Sequence, residues 1–255
     1  LDSLVQKDYG NIILEVDENT DLSNLNVRVL GTTVSNKKVM YKDLSVELDN
    51  AYDIYKNVLN NVYPQTEVAP TKDIIVGSCD ERGNLKAKQT YDEVNVVIPV
   101  FPGTNCEYDS KRAFEKAGAK VELVVIRNKT EQDIKSSISD LVAAIKKAQI
   151  MMLPGGFSAG DEPEGSGKFI ATFLRNEEIK EAITDLLENR DGLMIGICNG
   201  FQALIKLGLL PYGKISNMTK DDATLTFNTI GRHVSQMVNT KVASVKSPWL
   251  TGVNV

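Results

Sequence analysis

The chain has 255 residues, 42% of them hydrophobic, and a formal net charge of −5, which is enough apolar material for one large domain, alone or with an appendage. The mild acidity, without a basic block, excludes nucleic acid as a partner class, and no run approaches the roughly 18 consecutive apolar residues of a membrane span. Cys79, Cys106 and Cys198 are odd in number and widely spaced, with no C-x-x-C pair, which excludes a zinc site or a disulfide framework and fits reduced thiols in the cytoplasm.

The opening LDSLVQKDYG lacks the basic and apolar regions of a signal peptide. NIILEV and NVRVLGTTV then alternate like half-buried strands, and DLSVELDNAYDIYKNVLNNVY puts Leu48, Ala51, Tyr52, Tyr55, Val58, Leu59 and Val62 on one helical face. This small α+β segment covers residues 1–63. Pro64 and Pro70 punctuate a polar, charged stretch that reads as a linker over 64–93 and contains Cys79. No catalytic role is expected for a cysteine there.

From Val94 strands and helices alternate. VNVVIPV, KVELVVI, QIMML and GLMIGI read as strands; CEYDSKRAFEKAG, TEQDIKSSISDLVAAIKKA and KFIATFLRNEEIKEAITDLLEN read as helices, with Thr130 capping the second and Asp133 in the capping-box position. The pattern predicts an α/β fold with a doubly wound, mostly parallel sheet over residues 94–255. Beyond Pro211, DDATLTFNTI and VSQMVNTKVASV look like antiparallel strands appended to that sheet. The sequence starts at Leu1 rather than Met and stops at Val255 in an unfinished β-rich segment, so a fragment of a longer polypeptide is expected.

Ligands of doubly wound sheets gather at the carboxyl ends of the strands. Three loops are expected there: FPGTNCEYD, PGGFSAGDE and CNGFQ. In GLMIGICNGFQALIKLG the run Leu193, Met194, Ile195, Ile197 reads as a fully buried strand, and Phe201, Leu204, Ile205 and Leu207 then recur at helical spacing up to Gly208. Cys198 stands in the turn between Gly196 and Gly200, where the nucleophile elbow of strand-turn-helix hydrolases carries serine. A helix start favours the thiolate, the reactive form, although cysteine also fills buried space without doing chemistry. Attack on an acyl carbon needs two donors for the oxyanion: the Asn199 N–H and the glycine backbone of Gly155 and Gly156 are the candidates. PGGFSAGD matches neither phosphate-binding glycine pattern.

IPVFPGTNCEYDSKRAFEKAGA, MLPGGFSAGDEPEGSGKFIATF and GICNGFQALIKLGLLP together resemble the class I glutamine amidotransferase domain, with its flavodoxin-like fold, of the phosphoribosylformylglycinamidine synthase family in its long single-chain form. The resemblance covers about residues 94–255. LGTT and the helix ending NNVYP are similar to the tail of that family's synthetase part. The resemblance implies the glutamine amidotransferase part of an ATP-dependent C–N ligase of purine biosynthesis, converting formylglycinamide ribonucleotide to the amidine. Cys198 would form a γ-glutamyl thioester and release ammonia from glutamine. Gly155, Gly156 and Asn199 would form the oxyanion hole, and Gln202 would hold the substrate. It also implies that glutamine and the remainder of the synthetase polypeptide are the partners, that ATP and Mg act in the synthetase part, and that this fragment carries no cofactor or metal of its own.

In that family a histidine in an H-G-E-G motif acts as base and the glutamate orients it, after the segment that reads SPWL here. Both are therefore expected beyond Val255, and the fragment alone is expected to be nearly inactive. His233, the only histidine, falls where the family carries an aromatic residue on a strand and reads as structural. Cys106, at the start of a helix but without a G-x-Cys-x-G frame, is the rival nucleophile. A DJ-1/PfpI-like cysteine hydrolase and a non-catalytic docking or redox-sensing module are the alternative readings of the same elbow.

Overall fold

A computed structural model describes residues 9–61, 77–82, 87, 89–160, 167–225, 228, 235 and 237–255. The chain divides into two units, Leu1–Ala69 and Pro70–Val255.

In the first unit, β1 (Lys38–Tyr41) and β2 (Leu44–Glu47) form an antiparallel hairpin that leads directly into α1 (Leu48–Asn57). Lys42 takes φ 53° in the two-residue turn, and Lys38 meets its register partner Glu47 in a 2.7 Å ion pair. The expected helix forms only over Leu48–Asn57 and carries Leu48, Ala51, Tyr52 and Tyr55 of the apolar stripe; Val58 and Leu59 lie beyond it, Val62 lies outside the described residues, and none of the helix's residues is buried. NIILEV and NVRVLGTTV form no strand. Ile12, Ile13 and Val29 are more than four-fifths exposed, so alternation here has no sheet face to fill among the described residues.

The second unit holds β3 (Asn95–Val100), α2 (Glu107–Lys116), β4 (Lys120–Val125), α3 (Glu131–Lys147), β5 (Ile150–Leu153), α4 (Lys168–Leu174), α5 (Glu177–Thr184), β6 (Leu193–Gly196) and α6 (Asn199–Leu207). Its four strands are parallel, in the order β4-β3-β5-β6. Alternate residues of the central strands face opposite layers. Val97 and Met151 join the cluster filled by Leu141, Ile145, Ile170, Leu174, Ile179 and Leu204 from α3 to α6. Val96, Ile98 and Met152 form the other, against which Phe114 of α2 packs. The doubly wound α/β sheet is therefore borne out.

Caps explain the helix boundaries. Thr130 Oγ1 accepts from Asp133 N at 3.1 Å, and its hydroxyl donates to the Asp133 carboxylate at 2.9 Å. The helical pattern of residues 168–189 is not one helix: Asn176 interrupts it and caps α5 by accepting from the Glu178 and Ile179 amides. Arg190 donates to the Ala148 and Ile145 carbonyls at the end of α3 and to Asp185. Hydrogen bonds from Asn189 and Arg190 hold the Asp185 carboxyl below its ordinary range.

Two other expectations are corrected. β6 is half-buried rather than fully buried, because it is the outer strand of the sheet, and Ile197 beyond it is exposed. The described residues of 221–245 form no antiparallel strands. Ser244 instead makes a parallel bridge to Cys79, and Arg82 clasps the chain end through the carbonyls of Thr251 and Val253. No helix among the described residues is long and apolar enough to cross a membrane.

Candidate active site

From β3 the chain steps outward to β4 and then returns across β3 to β5. The strand order therefore reverses between β3 and β5, and the loops leaving those two strands border the crevice where ligands of such sheets bind. Here the two loops are stitched together. Phe157 N donates to Gly103 O at 2.9 Å, Ala159 N to Pro102 O at 2.7 Å and Asn105 N to Gly155 O at 3.4 Å. A Cβ on Gly156 would lie 2.6 Å from Gly103 O, and the residue takes φ 137°, so this glycine serves the approach of loop to loop.

The elbow follows β6. Ile197 N donates to Leu153 O at 3.0 Å, Cys198 adopts φ 53°, ψ −109°, and Gln202 N closes the first turn of α6 on Cys198 O at 3.0 Å. This backbone conformation is rare for a residue with a Cβ and costs about 1–3 kcal/mol, a strain that clusters at functional sites. Both flanking glycines are sterically required. A Cβ on Gly196 would stand 2.6 Å from Gly200 C and O, and one on Gly200 would stand 2.0 Å from Leu153 O. α6 lies close against the end of β5 at Gly200, and Cys198 is exposed.

The edge gathers most of the expected residues. A Cβ on the buried Gly155 would lie 3.3 Å from Cys198 Cβ and 3.5 Å from Cys106 Sγ, so the ends of β3, β5 and β6 meet around both thiols. The Gly155 and Gly156 amides donate to no described residue. Asn199 is 2% exposed, accepts from Ser158 N at 3.2 Å and donates to Gln202 Oε1 at 3.2 Å. Cys106 donates to Asn105 Oδ1 at 3.2 Å. Cys79 sits in its bridge to Ser244 instead. His233 lies outside the described residues. Sequence reasoning took Asn199 only for its backbone and did not single out Ser158; a buried amide on the first helical residue leaves no periodic signal.

The strain at Cys198 is measurable. Cys198→Gly is expected to be about 1 kcal/mol more stable than Cys198→Ala, because only glycine relaxes in this conformation, and that gain exceeds its larger unfolded-state entropy. Urea unfolding of the two variants reads the difference; equal stability would mean the elbow is unstrained.

The model of the CobB/CobQ-like glutamine amidotransferase domain matches residues 93–255, well over half of the chain. The chain belongs to that family. The amidotransferase domain is 40% identical over 143 residues to the phosphoribosylformylglycinamidine synthase subunit PurQ of Dehalococcoides mccartyi, covering 55% of this chain and 49% of the relative. It is 35% identical over 156 residues to PurQ of Methanococcus maripaludis, covering 60% and 52%. The solved PurLQS structure of Thermotoga maritima has a chain 31% identical, covering 46% of each, with a TM-score of 0.33. The chain spans about half the length of the curated relatives it matches.

Proposed function

We propose that the amidotransferase domain is the glutaminase part of phosphoribosylformylglycinamidine synthase, and that Cys198 is its nucleophile. The strained, exposed elbow at Cys198, beside Gly155, carries the reading. The Cys198 thiolate attacks the side-chain amide carbon of glutamine, and an S–C bond forms as the carbonyl oxygen becomes an oxyanion. Gly155, Gly156 and Asn199 N–H groups receive that charge. As the tetrahedral intermediate collapses, the C–N bond breaks and ammonia leaves with a proton from a general acid. Water then cleaves the γ-glutamyl thioester to glutamate and restores the thiol. Gln202 holds the substrate. Cys106 borders the site without a chemical role.

The proton carrier is a histidine, oriented by a glutamate, outside residues 1–255. Residues 1–63 are the tail of the synthetase part and 64–93 a linker, in a long single polypeptide working in the cytoplasm. ATP and Mg are assigned to that synthetase part.

In the parent protein, Cys198→Ala should reduce glutamine-dependent amidine formation at least about 10⁴-fold while formation from added ammonium salt persists. A variant that still uses glutamine at more than a hundredth of the normal rate would remove Cys198 from the reaction.

A further inference from the structure

The Ser158 backbone amide, two residues past the glycines of the β5 loop, can only donate. Its 3.2 Å bond to Asn199 Oδ1 therefore fixes which way the Asn199 amide faces. With the oxygen committed, the Asn199 NH₂ group is turned to Gln202 and donates to Oε1 at 3.2 Å. That second bond fixes the Gln202 amide in turn: its oxygen accepts from Asn199, and its NH₂ group has no hydrogen-bond partner among the described residues. Asn199 is 2% exposed and Ser158 1% exposed, so water does not compete for the bond between them. Gln202 sits one helical turn beyond Cys198, whose carbonyl its own amide caps at 3.0 Å.

We infer that the Asn199 side chain is a positioning residue that sets Gln202 as a hydrogen-bond donor, so that the site selects a ligand by an acceptor oxygen. The identity of that ligand as glutamine rests on the reading proposed above. A reversed Gln202 amide would present oxygen to oxygen and reject the same ligand, as sites that leave a buried polar group unpaired do.

Asn199→Asp tests the chain of amides. Its carboxylate still accepts from Ser158 N but can only accept from Gln202, which must then turn its NH₂ group inward. Saturable inactivation by a diazo-ketone analogue of glutamine, followed by alkylation at Cys198, is the readout. The half-saturating concentration should rise at least about tenfold, with the maximal inactivation rate changing less than about threefold. In a Gln202→Met background, where no amide is left to turn, Asn199→Asp should have little further effect. An equal rise in both backgrounds, or a fall in maximal rate without a change in half-saturation, would overturn the proposal by showing that the added charge or a general loosening is responsible. If the unsubstituted chain shows no saturation at all, the glutamine reading fails and this proposal falls with it.

Discussion

Gly200→Ala is expected to destabilise the amidotransferase domain by about 3 kcal/mol or more and to abolish analogue labelling at Cys198. The new Cβ would lie 2.0 Å from Leu153 O, 2.6 Å from Leu153 C and 2.7 Å from Leu153 Cβ. Leu153 is fully buried and ends β5, which is bonded on both sides by β3 and β6. The obstacle is therefore backbone in the middle of a sheet, and a rotamer change cannot relieve it. The helix α6 must move away from the strand end, and it carries the elbow with it. Gly252→Ala serves as the control: a Cβ there meets nothing within 4 Å, and its effect should stay within about 0.5 kcal/mol. Urea unfolding of the two variants gives the comparison, and a Gly200→Ala protein as stable as the control would contradict the packing described at the elbow.

The second large effect concerns proton transfer. Residues 1–255 bring together a thiol, two glycine amides and the Asn199–Gln202 pair, and no histidine falls among the described residues. General acid–base assistance contributes about 10² to 10⁴ in rate, so the chain as it stands should release ammonia from glutamine slower by that factor than a longer parent polypeptide carrying the proposed histidine and glutamate. Steady-state ammonia release by the two proteins is the measurement. His233→Ala should leave the slower rate unchanged within about twofold, a difference of less than about 0.4 kcal/mol in barrier. Equal rates for the two chain lengths, or a large effect of His233→Ala, would place the base within residues 1–255.

The sheet and the elbow were legible because both rest on local rules. Continuous apolar runs between amphipathic helices give β3 to β6, and two glycines around Cys198 announce a turn too tight for side chains. Loop-to-loop contacts were not legible: that Gly156 faces Gly103, or that Gly200 lies against Leu153 O, depends on strand order, which no single segment encodes. The break at Asn176 was readable in principle, since asparagine competes for backbone amides at helix starts, but the apolar stripe of 168–189 runs through it. NIILEV misled for the opposite reason. Alternation marks a strand only where a neighbour pairs with it, and the hairpin at Lys38–Glu47 formed instead. The Ser158–Asn199–Gln202 order was hidden because it depends on one backbone donor at a loop whose position the sequence does not show.

The central claim is that the fold activates one thiol of three. Cys198 is exposed while Cys79 and Cys106 are partly buried, so exposure alone would also favour Cys198, and a non-specific alkylator is needed for comparison. Peptide mapping after limited treatment with the diazo-ketone analogue of glutamine, set beside the same treatment with iodoacetamide, separates the two causes. Labelling by the analogue should be confined to Cys198, saturable, and suppressed by excess glutamine, whereas iodoacetamide should show no protection by glutamine at Cys79. Analogue labelling spread over Cys79, Cys106 and Cys198, or labelling of Cys198 that glutamine does not suppress, would contradict a preformed glutamine site at the elbow.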